Sequence, residues 1–595
     1  MKELRYLTIL LFLVSCSSGH HKNSEVNFDK TLDSIGEEVS EKIEKSAPAF
    51  VDQAREFGLE NIEAYNFNVV DLNGDDYSDI VVIPSFYSQP VFYYYNIFEK
   101  KFIKGESPFD SPIKASYLLF YDLNKDNILD VIVGVLNQKT ELSTEPFRIF
   151  YGEKNKLNEL SFKPSSHKFD SYPNSSVGLI DYDLDGDLDL YIGNWFFRYK
   201  GNPIPHKDFL FENKKDKYFD VTELLIGENK QTEFETMHVN ATPTYSVQIC
   251  DMDQNGYPDV LTTSTNSYRN NLWINSYKFR EQKRYFANAG ISSGFAADPE
   301  GLLNTQGGGR TFGLACADYN NDGIMDVFLG ELTHNYDHQG IDRSSILTGR
   351  TLKNHPRFYR TEYTQDSFDP NWHQADRRAL WLDFNNDGLL DLIIDNSGYP
   401  PYSKMIVFRQ LPDHSFMSVS DELGLNILNP IATVMLDVNR DGKMDILTAQ
   451  TSIRDEKIKP RLYLMVNKLD VGENRSLRFF LRGQNSNYHG LNATVILKTR
   501  SETDSRFQKQ VVSYSYGALP PQNEEGIHFG IPANEKIEYV KVIWPYAKEK
   551  NQGRIHMEKV YKLSDEFDSF LNITLCENGD FLIGRRECFA SYSSE

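Results

Sequence analysis

Seven copies of one acidic nonapeptide, spaced 51 to 70 residues from start to start, limit what this chain can fold into. They read DLNGDDYSD from Asp71, DLNKDNILD from Asp122, DYDLDGDLD from Asp181 and DMDQNGYPD from Asp251. DYNNDGIMD follows from Asp318, DFNNDGLLD from Asp383 and DVNRDGKMD from Asp437. All fit Asp-x-Asp/Asn-x-Asp/Asn-x-x-x-Asp. A period of this length marks a supersecondary unit that cannot bury its apolar face alone and stacks on its neighbours.

The pattern has a chemical reading. A hard cation such as calcium takes roughly six to eight oxygens at about 2.3–2.6 Å. Side chains at loop positions one, three and five converge on one point if the chain curls, and a carbonyl at position seven and the last Asp complete the shell. The curl needs a residue tolerant of positive φ at position six. That position holds Asp76, Asn127, Gly186, Gly256, Gly323, Gly388 and Gly442. Gly, Asn and Asp enter the left-handed region most easily, and solvated acidic turns would carry no such second constraint.

An EF-hand begins the same way but requires a bidentate Glu at position twelve and a helix on each side. Position twelve is Val82, Val133 and Ile192 in the first three loops. Short β-branched runs follow each loop (DIVVIP, DVIVGV, DVFLGE), and similar runs precede it (YSVQIC, RRALWL), so each loop joins two strands of a hairpin. Further on, PVFYYYNIFEKKF, FRIFYGEKNKLNELSF, DFLFENKKDKYF and NNLWINSYKFREQKRYF read as strand, polar turn, strand. PRFYRTEYTQDSF and MIVFRQLPDHSF repeat this in the fifth and sixth units, and RLYLMVNKL closes the series. Four-stranded sheets set radially make a β-propeller. The expected fold is all-β: a seven-bladed β-propeller plus a small C-terminal β-sandwich-like domain. A degenerate unit or shared ends would make six or eight blades. The insertions 225–241 and 331–355 are expected as surface loops.

The loops resemble the calcium-binding repeats of FG-GAP/VCBS propeller proteins, and Phe312-Gly313 is similar to the eponymous dipeptide. The resemblance spans roughly Tyr65 to Asp470 and implies calcium (Ca2+) as cofactor. By match, it implies as ligands Asp71, Asn73, Asp75 and Asp79, then Asp122, Asn124, Asp126 and Asp130. The third loop offers Asp181, Asp183, Asp185 and Asp189, with Asp187 as an extra candidate, and the fourth Asp251, Asp253, Asn255 and Asp259. The last three offer Asp318, Asn320, Asp322 and Asp326, then Asp383, Asn385, Asp387 and Asp391, then Asp437, Asn439, Asp441 and Asp445. Asn255 at position five makes weaker binding the expectation for the fourth site.

After Asp470 an all-β pattern continues without acidic loops. Asn474-Arg475, His489-Gly490-Leu491-Asn492-Ala493, His528-Phe529-Gly530 and Trp544-Pro545 resemble the ASPIC/UnbV domain, which follows similar propellers in cartilage acidic protein and its bacterial homologues. Three departures are Asn487-Tyr488 for the family's Asn-Arg turn, Pro532 for a Gly, and Tyr546-Ala547 after the Trp-Pro pair. The expected domains are a signal peptide over 1–15, a leader over 16–55, the propeller over 56–470, the ASPIC/UnbV-like domain over 471–563 and a tail over 564–595.

Lys2 and Arg5 precede an apolar run, Leu7 to Val14, of signal-peptide length and too short to span a bilayer. Leu13-Val14-Ser15-Cys16 resembles the bacterial lipobox, which implies lipidation at Cys16; an ordinary signal peptide with an incidental Cys is the alternative. The expected localisation is the cell envelope, lipid-anchored at the outer membrane or cell surface. In the leader, Phe28, Leu32, Ile35, Val39 and Ile43 recur at helical steps, an amphipathic helix signal. Export makes a disulfide between Cys576 and Cys588 an expectation. Cys250 and Cys316 lie at offsets of opposite parity before their loops and are expected as buried thiols on opposite faces.

A net charge of −22, from 63 Lys and Arg against 85 Asp and Glu, repels phosphate backbones and argues against a nucleic-acid partner. His334, Asp337, His338 and Asp342 cluster in THNYDHQGIDRSS, with a spacing that suits transition-metal ligands, an acid–base pair or a polar surface loop. No Walker or HExxH pattern occurs, and no catalytic residue is assigned. The expected function is a surface-anchored, monomeric, calcium-binding module for adhesion to, or scaffolding of, a protein or glycan partner. The alternative is an enzyme, because calcium-loop propellers include polysaccharide lyases and some ASPIC/UnbV proteins belong to enediyne biosynthesis.

Overall fold

The computed structural model describes residues 48–588 apart from 138–142, 158, 228–229, 232–235, 279, 282, 304–306, 333–341, 353–354, 363–373, 399–402 and 551–552. Cys16, the leader helix, His334, Asp337 and His338 lie outside the described residues. From Ala49 onward the chain forms one compact unit.

Each acidic loop closes a hairpin in the same register. The first strand ends one residue before position one and the second begins at position nine, so Val70 pairs with Asp79, Tyr121 with Asp130 and Ile180 with Asp189. Cys250–Asp259, Ala317–Asp326, Leu382–Asp391 and Leu436–Asp445 repeat the pairing. Two more antiparallel strands follow across each of the seven sheets, and the fourth sheet carries a fifth, parallel strand at its edge. The strands after the first two loops, DIVVI and DVIVG, are buried along their whole length because neighbouring sheets cover both faces.

The apolar cores lie between successive sheets. Leu118, Phe120 and Val131 of the second sheet pack on Val70, Val81 and Phe92 of the first. Tyr191 meets Trp273 between the third and fourth, Leu261 meets Leu314 between the fourth and fifth, and Phe328 meets Leu392 between the fifth and sixth. Ile393 meets Met465 between the sixth and seventh. Val434 and Leu447 of the seventh return to Ile80 and Val82 of the first, which closes a propeller-like ring.

The ring is sealed by a strand placed above in the leader. Phe50–Asp52 pairs antiparallel with Arg461–Asn467 as the fourth strand of the seventh sheet. That edge would otherwise stand unpaired, and Phe50 is buried against Phe384. The leader therefore ends before Phe50, not at 55. The fifth sheet also corrects the reading above: its outer strands are Ser345–Leu352 and His355–Glu362, so the 331–355 insertion contains a strand. In the 225–241 insertion, Leu225–Ile226 pairs parallel with Phe286–Ala287.

The C-terminal domain is two four-stranded sheets. One orders Ile527–Ile531, Arg475–Arg482, Phe570–Cys576 and Phe581–Ile583, the other Ser505–Val511, Thr494–Arg500, Lys536–Lys550 and Gly553–Tyr561. Phe479, Val495, Leu497, Val542 and Trp544 fill the space between them. The expected separate tail is corrected: Phe570–Cys576 runs parallel to Arg475–Arg482 inside the sheet, and its alternate residues Ile573 and Leu575 are buried in the domain core.

A segment of this domain plugs the ring. Gln522 bonds through its backbone to Phe67 and Val69 of the first sheet and through its amide to both backbone groups of Phe120 of the second. Leu519 N–H donates to Ser175 O at 2.6 Å, and Ser176 Oγ to Gly517 O at 2.8 Å, in the third sheet. Arg378 of the sixth donates to Ala518 O and Leu519 O, and Met435 N–H of the seventh to Asn523 Oδ1. Ala518 packs on Tyr245 and Phe312 of the remaining two. A segment touching the first strands of all seven sheets occupies the axis, and it bonds backbone groups on the inner edges of the first, second, third and seventh.

Two disulfides are present, Cys576–Cys588 and Cys250–Cys316. The second corrects the expectation of separate thiols. Opposite parity places side chains on opposite faces of equivalent strands, and on two neighbouring sheets those are the faces that meet.

Candidate metal centres

The loops share one hydrogen-bond skeleton. The position-five N–H donates to the carboxylate of position one and the side-chain oxygen of position three: Asp75 N to Asp71 Oδ1 at 3.2 Å and Asn73 Oδ1 at 3.0 Å, and Asp322 N to Asp318 Oδ1 at 3.0 Å and Asn320 Oδ1 at 3.1 Å. The position-six N–H donates to the other oxygen of position one, as Gly186 does to Asp181 Oδ2 at 2.9 Å and Gly442 to Asp437 Oδ2 at 3.0 Å. The position-seven N–H donates to position five, as Ile128 does to Asp126 and Leu389 to Asp387. These bonds curl the chain so that positions one, three and five face one point.

Position six is left-handed in all seven loops, between φ 65° at Asn127 and 95° at Gly186. Position four is left-handed as well, at Gly74, Lys125, Leu184, Gln254, Asn321, Asn386 and Arg440. Several of these side chains reach the next loop: Gln254 Nε2 donates to Gly323 O at 2.9 Å, Asn321 Nδ2 to Gly388 O at 3.1 Å, and Arg440 to Asp76 O. Lys125 pairs with Asp187 at 3.1 Å, which is the structural role of that extra third-loop acid.

The ninth aspartate does two things. Asp79, Asp130, Asp189, Asp259, Asp326, Asp391 and Asp445 are all buried. In each, Oδ2 accepts the position-two N–H and Oδ1 accepts an N–H of the third strand, as Asp326 does from Tyr319 at 3.1 Å and Gly349 at 2.7 Å. Asp445 does the same with Val438 at 2.9 Å and Asn467 at 2.7 Å. It thus fastens the loop to its own sheet by hydrogen bonds alone.

The donor set fits a hard cation. Every side chain at positions one, three, five and nine offers oxygen. In the third and fourth loops, carboxylate oxygens of Asp181, Asp183 and Asp185, and of Asp251, Asp253 and Asp259, lie within 4.8 Å of one another. Two ligands on opposite sides of a calcium ion stand up to about 5 Å apart, so that clustering suits one ion. Asn255, expected to weaken the fourth site, sits within a convergent trio of carboxylates. Desolvation pushes the acids up: Asp122 to about 6, Asp79, Asp251, Asp318 and Asp437 to about 7, Asp130, Asp326 and Asp383 to about 8. Crowded buried carboxylates resist ionising without a counter-charge.

The C-terminal domain is laid over this acidic face. Asp122 N–H donates to His489 Nε2 at 3.1 Å, which leaves Nδ1 to donate to Glu525 Oε1 at 3.0 Å. Asp181 N–H donates to Asn492 Oδ1 at 3.3 Å, and Asp437 N–H to Glu524 Oε2 at 2.8 Å. Arg506 Nη1 donates to Asp387 O and Lys509 Nζ to Gly323 O. A Cβ on Gly530 would lie 1.9 Å from Asp383 Oδ2, so the glycine of His528-Phe529-Gly530 is what lets the domain approach the sixth loop. A cavity of about 290 Å³ remains over the first two loops, lined by Asp71, Asp122, Lys154, Arg482, Glu525 and Arg585 among others.

Sequence reasoning did not find Gln522, Asn523, Glu524 or Glu525, whose only signal was the Pro520-Pro521 pair before them and the paired acids themselves. Of the His334 cluster, the described member Asp342 is buried and accepts the Asp298 N–H at 3.2 Å.

An FG-GAP-like repeat matches residues 365–448, and the ASPIC and UnbV family matches 483–568. No curated protein matches the chain. Among solved structures, it is similar to an Agrocybe aegerita lectin described by its recognition of non-reducing terminal N-acetylglucosamine, at 13% identity and TM-score 0.38 over 68% of this chain and 94% of that one. It is also similar to a putative 6-phosphogluconolactonase of Bacteroides uniformis, at 10% and 0.33 over 69% and 96%, and to the V. cholerae biofilm matrix protein Bap1, at 10% and 0.27 over 84% and 66%. The chain thus carries an FG-GAP-like repeat within a propeller-like all-β ring, followed by a region that matches the ASPIC and UnbV family.

Proposed function

We propose that this protein is a calcium-stapled binding or scaffold module of the cell envelope, anchored by a lipid on Cys16. The observation that carries the reading is the sevenfold recurrence of one all-oxygen loop skeleton on buried aspartates. Calcium bound there would supply the counter-charge that these carboxylates lack. Positions one, three and five would hold it from the loop, and position nine from the second strand. The hairpin turn of each sheet would then be fixed from two sides. Magnesium fits less well, because it keeps most of its water and favours fewer protein ligands.

A rigid ring with a plugged axis presents its outer strands and connecting loops as a stable surface, which suits adhesion to a protein or glycan. Unfolding monitored in calcium and in EGTA tests the metal reading: the midpoint should be higher in calcium, and equal midpoints would overturn it. A glycan array, with a turnover assay on any hit, tests the binding reading against the enzymatic one. Radiolabelled palmitate incorporation that disappears in Cys16→Ser tests the anchor.

A further inference from the structure

Asp71 differs from the other six position-one aspartates. Its Oδ1 accepts the N–H groups of Gly74 and Asp75 at 2.7 and 3.2 Å, and its Oδ2 that of Asp76 at 3.0 Å. A fourth donor comes from the far end of the chain: Arg585 Nη1 reaches Asp71 Oδ2 at 3.1 Å. A carboxylate offers about four acceptor sites, so those of Asp71 are filled. The other six accept N–H groups of their own loops, as Asp318 does from Asp322 and Gly323, and make no ion pair among the described residues.

Arg585 is held where it stands. Its Nη2 bonds Glu525 Oε2 at 2.7 Å, and Glu525 also holds the buried Arg482 at 2.6 Å. The Cys576–Cys588 bond closes the segment that carries it. The guanidinium is therefore a tethered positive charge on the first ligand of one loop.

We infer that Arg585 is the resident cation of the first loop, which takes calcium more weakly than the other six, and that the Cys576–Cys588 bond maintains this difference. The inference rests on the calcium reading proposed above. A divalent ion entering this loop meets a like charge and a carboxylate whose lone pairs are already engaged.

The test is calcium uptake by the metal-free full chain, followed by titration calorimetry and equilibrium dialysis. Arg585→Ala should add one ion to the tightly bound class, Arg585→Lys should not, and Cys588→Ser should shift toward Arg585→Ala. Asp71→Asn should leave the wild-type tight count unchanged, while Asp322→Ala in the fifth loop should lower it by one. An unchanged count in Arg585→Ala beside the expected loss in Asp322→Ala would overturn the inference and leave the calcium reading standing. Loss of a tight ion in Asp71→Asn would also overturn it. No uptake by any variant would remove the calcium reading and this inference together.

Discussion

Two aspartates of the fifth loop should differ most when calcium is absent. Asp326 is fully buried, and its oxygens accept the N–H groups of Tyr319 and Gly349. Asp326→Ala leaves both donors buried and unpaired, at about 1–3 kcal/mol each. The expected loss in EGTA is therefore about 2–6 kcal/mol, and in calcium it should grow by the linkage contribution of one site, because position nine is also a ligand. Asp326→Asn keeps one acceptor and should lose about half as much. Asp322 is exposed, and its bonds to the Ile324 N–H and the Asn320 amide lie at the surface. Asp322→Ala should cost less than about 1 kcal/mol in EGTA, as exposed substitutions do. In calcium it should lose the linkage contribution of one site, about 2.7 kcal/mol at a free concentration one hundred times Kd. Denaturant unfolding in calcium and in EGTA reads both. If Asp326→Ala matched wild type in EGTA, or Asp322→Ala lost equally in both conditions, the division between hydrogen-bond staple and metal ligand would be wrong.

Other outcomes follow from the same contacts. Arg378→Ala removes two buried charge-assisted bonds to the plug and should cost about 3 kcal/mol or more by denaturant unfolding. Gly530→Ala should force the C-terminal domain off the sixth loop and cost about 1–3 kcal/mol, visible as increased hydrogen exchange over 383–391. Burial pushes Asp208 and Glu331, both outside the loops, up to about 8. Their folded values exceed the unfolded carboxylate's, about 4, so the folded state holds the extra protons. Stability should therefore fall as pH rises from about 4 to about 8, and Glu331→Gln should flatten part of that fall.

The loops were legible because metal-ligand chemistry restricts residue type at fixed positions: acids at one and nine, and Gly, Asn or Asp at six. Position four is equally left-handed but carries Lys125, Leu184 and Arg440, so the strain leaves no mark in composition. Its role, bridging to the next loop, depends on a neighbour far along the chain, 69 residues on for Gln254 and 364 back for Arg440. The strand Phe50–Asp52 escaped because three residues carry no periodicity; its place follows from the need to close a ring. The plug escaped for a related reason. Gln522 and Asn523 sit in a turn-rich stretch, and only a ring with seven inner edges shows what their amides bond to. The cysteine pair shows that parity along one strand must be read across facing sheets.

Metal content bears most directly on the central idea. Protein purified in calcium, desalted and analysed by inductively coupled plasma mass spectrometry should retain several calcium ions per chain and little magnesium, and fewer by one in Asp322→Ala. Protein that carries no calcium, and unfolds identically after a chelator wash, would contradict the account.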